Sequence, residues 1–191
     1  MRCADITRKT LETDITLSLN LDGGEINVDT GIGFFDHMLT ALAKHSGFGL
    51  SVKCIGDLIV DGHHTVEDVG IVLGKALAEA LGDKSGIARY GSAYIPMDEA
   101  LAFSVVDVSG RPFIRYEATM YQERCGDYDT CLTEEFFRAF AFNAGITLHI
   151  SAVYGINAHH ITEAIYKSVA HSLKAACTAT GSGTLSTKGC L

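Results

Sequence analysis

The chain has 191 residues, 47% of them hydrophobic and 8% aromatic, enough for a packed core and too apolar for a disordered polymer. A net charge of −8 with a pI near 5.4 argues against nucleic acid or an anionic membrane surface as the main partner. No apolar run reaches the roughly 18 to 20 residues of a membrane span, Met1-Arg2-Cys3-Ala4-Asp5 lacks a signal-peptide core, and the 6 cysteines form no C-x-x-C pair, so a cytoplasmic protein with free thiols is expected.

Ile15, Leu17, Leu19 and Leu21 alternate with Thr16, Ser18 and Asn20, which is the pattern of a strand with one wet face. Asp22-Gly23-Gly24 turns the chain into a second strand at Ile26 and Val28. Phe35, Met38, Leu39 and Leu42 then fall at helical spacing over residues 34–44, before Gly47 and Gly49 stop the helix. Leu50, Val52 and Cys54 mark a third strand, and a second helix runs from His63 to Leu81 with Gly82 as its C-terminal cap. Residues 83–97 read as a linker. Strands at 100–108 and 113–120 follow around the Ser109-Gly110 turn, then a helix at 133–143, a strand at 146–153 and a last helix from His159.

The order β-β-α-β-α thus occurs twice, in residues 1–82 and 98–191, which points to internal duplication in an α+β fold. A half of this size cannot bury its own apolar sheet face. The two halves are therefore expected to pack as one domain over residues 1–191, with two sheets outside and a central helical layer.

The pentapeptide His-His-x-x-Glu also occurs twice, as His63-His64-Thr65-Val66-Glu67 and His159-His160-Ile161-Thr162-Glu163, each time opening a helix. At about 100° per residue the three donors point near 0°, 100° and 40°, so they share one face. Adjacent histidines diverge too far to grip one ion, and each can take a separate metal; the spacing predicts two metals. A single copy reads more naturally as a polar helix start. Two copies in equivalent places favour metal binding.

His37, in Phe34-Phe35-Asp36-His37-Met38, lies on the first helix, and Glu135 occupies the matching place in the second half. Pseudo-symmetry makes both candidate ligands, although Glu135 reads equally well as a carboxylate favoured by a helix N-terminus. His45, two turns beyond His37, can point into the same pocket without touching metal. His149 and His171 read as surface or outlying groups.

The set Phe-x-Asp-His-Met, Asp-Gly-His-His-Thr-Val-Glu-Asp, Ser-Gly-Arg-Pro, His-His-x-x-Glu-Ala and Ser-Thr-Lys-Gly, in that order over nearly the whole chain, resembles the imidazoleglycerol-phosphate dehydratases of histidine biosynthesis. The resemblance implies a fold like ribosomal protein S5 domain 2. It implies a hydro-lyase that converts D-erythro-imidazoleglycerol phosphate to imidazole acetol phosphate and water through a metal-stabilised imidazolate. It further implies two Mn²⁺ ions per active site, lying between subunits of a homo-oligomer of roughly 24 chains. Carried over by position, the metal ligands are His37, His63, His64, Glu67, His159, His160 and Glu163, with Glu135 where many relatives carry His. Arg89, Arg111, Lys167, Ser186, Thr187 and Lys188 match phosphate-binding positions, with His45 as a further contact. Glu12 matches the family's substrate-contacting Glu and is the first candidate for acid/base work, with metal-bound Glu67 or Glu163, or a water, as the alternative. Read without the family, Glu12 is a strand-end carboxylate, Arg89 a linker charge, Arg111 a hairpin tip and Lys167 a surface lysine. A binuclear metallohydrolase and a purely structural metal shell would use the same ligand types, but the structural shell leaves the basic set and the tail without a purpose.

Overall fold

A computed structural model describes residues 2–181, 183–187 and 189. The first half runs β1 (Cys3–Lys9), β2 (Thr13–Asn20), β3 (Ile26–Asp29), α1 (Gly33–Ser46), β4 (Gly49–Gly56) and α2 (His63–Leu81). The second runs β5 (Tyr90–Met97), β6 (Ala100–Asp107), β7 (Phe113–Glu117), a small hairpin of β8 (Arg124–Cys125) and β9 (Tyr128–Asp129), α3 (Leu132–Ala144), β10 (Thr147–Tyr154) and α4 (Ala158–Ala176).

Both large sheets have the same topology: β1-β2-β4-β3 in one and β5-β6-β10-β7 in the other. In each, the last strand pair is parallel because a helix crosses over between its members, and the other pairs are antiparallel. The duplicated α+β architecture expected from the sequence is present. Each repeat, however, begins one strand earlier than the alternation shows, so the full order is β-β-β-α-β-α.

The added strands are both sheet edges, and their residues explain why they read as something else. β1 turns only Ala4 fully inward, with Ile6 half-buried, so its apolar alternation is too thin to register. β5 lies inside the stretch expected as linker, which the structure shortens to residues 83–89. It carries Gly91 and Pro96, which signal a break in a sequence but are tolerated in an edge strand. Gly91 is required by packing: a Cβ there would lie 2.0 Å from the Ser172 carbonyl oxygen of α4.

The four helices form the middle layer, and they pair across the halves: α1 packs on α4, and α2 packs on α3. α2 buries Val66, Val69, Val72, Leu73, Ala76 and Leu77, while α3 offers Phe136, Phe137 and Phe140. Each of the Val, Leu and Phe side chains contributes roughly 1.5–3 kcal/mol on burial, and neither half could make those contacts alone. An aromatic chain leads outward from this core. Tyr166 stacks on Phe136, Phe136 meets Phe35 edge-on, Phe35 stacks on Tyr128, and Phe34 bridges Tyr128 to His159. Among the described residues no helix is long and apolar enough to cross a membrane, and the described cysteines are free.

The α2–α3 contact depends on a helix surface without side chains. A Cβ on Gly74 would sit 2.5 Å from the Phe140 carbonyl oxygen and 2.8 Å from Asn143 Cβ. Gly74→Ala should therefore cost about 1–3 kcal/mol in urea unfolding, because backbone must shift to admit the methyl. Gly33→Ala, on α1 with nothing within 4 Å of its Cβ, should be neutral or stabilising. Equal stability of the two variants would refute the close approach.

Candidate active site

Both His-His motifs sit where a helix begins, and those helix starts are held by side chains reaching in from elsewhere. At α4, the Asn157 side chain accepts the His159 and His160 backbone N–H groups at 2.9 and 3.4 Å. Glu99 Oε1 accepts Ile156 N–H and Asn157 N–H at 3.1 and 2.8 Å, and Gln122 Oε1 accepts Ala158 N–H at 2.6 Å. The N–H groups that an isolated helix end leaves open are thereby satisfied, and the histidines start from a fixed backbone. At α2, Asp61 accepts the His63 N–H at 2.8 Å.

Because α1 packs on α4, His37 meets the second motif. His37 Nε2 lies 3.4 Å and His159 Nε2 lies 3.2 Å from the same Glu163 oxygen, Oε2. One ligand atom from each of His37, His159 and Glu163 falls within 4.8 Å of the others, a spacing that suits a single cation. Glu163 is buried, and its other oxygen accepts from Lys167 Nζ at 2.6 Å. Burial pushes the Glu163 carboxyl up, but the Lys167 hydrogen bond and charge, with His37 beside it, outweigh that and hold it below its ordinary value.

The second histidine of each motif diverges from the first, with ring planes at 86° in one pair and 78° in the other. Each is braced by carboxylates in the same way. His64 Nδ1 lies 3.0 Å from Asp57, and its Nε2 lies 3.7 Å from Glu12. His160 Nδ1 lies 2.6 Å from Glu99, and its Nε2 lies 3.7 Å from Asp98. An ionised carboxylate only accepts, so Nδ1 carries the hydrogen and Nε2 of the neutral ring is left with a lone pair on the side of Glu12 or Asp98. The same hydrogen bonds raise His64, through Asp57, and His160, through Glu99, above the usual imidazole range. Glu12 and Asp98 occupy equivalent turns, between β1 and β2 and between β5 and β6.

The first motif does not close as the second does. His63 Nε2 and Glu67 Oε2 are 3.6 Å apart, but the Glu135 carboxylate lies 3.8 Å from Arg138 Nε on its own helix. Among the described residues the three-donor group is that of His37, His159 and Glu163. Glu135 occupies the place equivalent to His37, counted back from the helix-ending glycines Gly145 and Gly47, yet it joins no such group within one chain.

The basic residues fall into two places. Arg89 bonds Asp107 through Nε and Nη2 at 2.7 and 3.2 Å and the Leu185 carbonyl through Nη1 at 2.6 Å. Its backbone has φ +71°, a left-handed conformation that a side-chain-bearing residue adopts only when its surroundings impose it. Arg111 Nη2 lies 3.8 Å from the same Asp107 carboxylate, and Ser186 and Thr187 line a cleft with both arginines. Lys188 lies outside the described residues. Lys167 and His45 sit instead on the α1–α4 face, where His45 Nδ1 meets His171 Nε2 at 3.3 Å.

Asp57, Asp98, Glu99 and Asp107 were not singled out by sequence reading, and His171, read from sequence as a surface or outlying group, meets His45. The one available signal was the Asp98-Glu99 pair beside strand β6, which pseudo-symmetry with Glu12 identifies once β5 is known to precede it.

Residues 30–173 match the family described as imidazoleglycerol-phosphate dehydratase. The chain is 56% identical over 190 residues to the imidazoleglycerol-phosphate dehydratase of Acetivibrio thermocellus, covering 98% of this chain and 97% of that one. It is 59% identical over 176 residues to that of Gluconobacter oxydans, covering 92% and 89%. The crystal structure of the Staphylococcus aureus imidazoleglycerol-phosphate dehydratase superposes with a TM-score of 0.86 at 43% identity, over 93% of this chain and 99% of that one. The Pyrococcus furiosus protein, solved in complex with (S)-C348, gives 0.83 at 36% identity, over 97% and 100%.

Glu99 offers a test of the bracing network. Backbone N–H donation from Asn157, the His160 ring and the Ile156 N–H lower its pKa from 4.5 to about 2. A carboxyl depressed on folding stabilises the protein fully above its unfolded pKa and loses that contribution as pH falls from 4.5 through about 2. Glu99→Gln keeps an acceptor oxygen but cannot ionise. Its stability in urea should fall less steeply over that acid range than the parent's, measured on metal-free protein; parallel curves would show that Glu99 is not held ionised by the fold.

Proposed function

The chain belongs to the imidazoleglycerol-phosphate dehydratase family, and from that premise we propose that it acts in histidine biosynthesis as a cytoplasmic hydro-lyase. In this reading it removes water from D-erythro-imidazoleglycerol phosphate to give imidazole acetol phosphate, with two divalent ions, manganese by resemblance to the family. The observation that carries the metal reading is the convergence of His37, His159 and Glu163 on one point.

The residues present fit such ions. The imidazole nitrogens nearest the motif carboxylates are Nε2 in His37, His63 and His159, and in His64 and His160 a carboxylate holds Nδ1 and leaves Nε2 its lone pair. This is the arrangement in which a histidine's second nitrogen is anchored to orient the first. His37, His159 and Glu163 would hold one ion, His63 and Glu67 would begin a second set, and His64, His160 and Glu135 would supply the remaining donors from neighbouring copies. Bound there, the ions supply Lewis acidity that lowers the pKa of the substrate's imidazole N–H.

The chain's own groups do the rest. Glu12, 53% exposed and 3.7 Å from His64 Nε2, would move a proton beside that ligand, and its position supports the acid/base role. Glu163 is held ionised by Lys167. Arg89, Arg111 and the tail segment would grip the phosphate, with Lys167 and His45 completing its shell.

One chain cannot bring these groups to one small substrate. His159 begins α4, whereas Arg89 is tied to the Ala176 carbonyl at the other end of that helix. Rising about 1.5 Å per residue, the intervening turns span roughly 26 Å, far more than an imidazole with a three-carbon phosphate arm. This separation supports active sites built between copies in a homo-oligomer, which the family resemblance sets at about 24 chains.

Protein stripped by chelator should lack activity and regain it with Mn²⁺, yielding a ketone product that keeps its phosphate. Restoration by zinc alone would overturn manganese, and release of inorganic phosphate would overturn dehydration. Glu12→Gln should lower kcat by about 10²-fold or more while metal content and assembled size stay unchanged; near-normal turnover would remove Glu12 from the mechanism.

A further inference from the structure

The α1–α4 seam carries a feature that the metal ligands and Glu12 do not account for. On α4, Lys167, His171 and Lys174 follow Glu163 at four- and three-residue steps, so all lie along the face that meets α1. α1 answers with Lys44 and His45 in its last turn, and Gly47, which caps that helix, lies close enough to Lys174 that a Cβ on it would stand 3.9 Å from the ammonium nitrogen. The carboxylate that acts on His45 is Glu163, and Lys167 already holds it. The seam is therefore a cationic strip that starts at the donor cluster and runs away from it.

Within the strip, His45 Nδ1 and His171 Nε2 are 3.3 Å apart, with ring centroids at 5.4 Å. A contact between two imidazole nitrogens works only if one bears a hydrogen and the other does not. If His171 donates, neutral His45 must carry its own hydrogen on Nε2, the nitrogen on the far side of its ring. If His45 is protonated, it donates through both nitrogens, and His171 accepts. Neutral His45 can also donate through Nδ1, which leaves a lone pair on Nε2, but an anion beside Nε2 selects the two states in which that nitrogen bears the hydrogen, and His171 accommodates both without any movement of the ring. Burial, Lys167 and His171 hold His45 below the usual imidazole range, with Lys44 acting in the same direction and Glu163 against it. An arriving anion opposes that depression and draws a proton onto the pair.

We propose that His171 is a positioning residue that holds His45 through Nδ1 and supports the states in which His45 donates through Nε2 to the substrate's phosphate group. This inference rests on the reading of His45 and Lys167 as phosphate contacts.

The test compares His171→Phe, which keeps a ring but cannot hydrogen-bond, His171→Asn, which is polar but too short to reach His45, and His171→Gln, whose amide N–H reaches Nδ1. The assembled, metal-loaded enzyme is assayed for KM, kcat and the Ki of inorganic phosphate. His171→Phe and His171→Asn should each raise KM and the phosphate Ki about fivefold, the value of one hydrogen bond, with kcat within about twofold of the parent. His171→Gln should restore both to within about twofold. The parent's KM should rise with pH as the pair gives up its shared proton, and that dependence should flatten in His171→Phe. An unchanged KM in His171→Asn, a fall in kcat instead of a rise in KM, or failure of His171→Gln to rescue overturns the proposal; the Asn and Gln arms decide even where the Phe variant misassembles. His45→Ala separates the two levels. If it leaves KM unchanged, the phosphate reading of His45 has failed; if it raises KM while the His171 variants do not, the positioning role alone has failed.

Discussion

Everything at the site depends on helices pairing across the two halves of the chain. α1 belongs to the first repeat and α4 to the second, and their contact sets His37 against His159 and Glu163. Had each repeat packed its helices on one another, the histidine of one helix and the motif of the next would have stayed on separate surfaces. The hydrophobic requirement that no half can meet alone is the requirement that assembles the donors. Gly74 shows how closely it is enforced, since the α2–α3 contact leaves no room for a methyl group.

Charge is arranged so that the donors are ready without being free. Glu163 is kept ionised by Lys167, and the outer histidines are anchored through Nδ1 by Asp57 and Glu99. The anchoring works against cation ligation, because the hydrogen bonds that fix the rings also raise their proton affinity. Such bracing is worthwhile where orientation matters more than the displaced proton, as in ligation by a nitrogen aimed at a fixed point. The arginine end follows the same logic, with Asp107 holding both Arg89 and Arg111 in place.

Much of this was legible in the residues. The two pentapeptides, the duplicated order and the four helices follow from periodicity, because strands and helices with a strong buried face announce themselves. β1 and β5 did not, since an edge strand against a helix needs small residues, and Gly91 and Pro96 imitate a linker. Long-range partners were also hidden: Asp57 faces His64 across a loop, Glu99 reaches back over more than fifty residues to α4, and nothing in the local pattern marks either. Glu135 was legible by position, but its engagement with Arg138 depends on a neighbour one turn along the same helix, which pseudo-symmetry does not forecast.

The duplication is faithful at one end of the helices and not at the other, and that difference gives the site a direction. Aligning the motifs, Glu163 corresponds to Glu67, but Lys167, His171 and Lys174 correspond to Ile71, Lys75 and Ala78. Aligning the helix-ending glycines, His45 corresponds to Asn143, whose amide is spent on the Ala139 carbonyl. The cationic strip is therefore continuous on α4, whereas α2 keeps only Lys75 at the matching positions. The two helix starts thus carry matching donor residues, while the basic seam belongs to α4. Keeping the His-His-x-x-Glu pentapeptides alike while letting the later turns diverge gives both from one repeated segment.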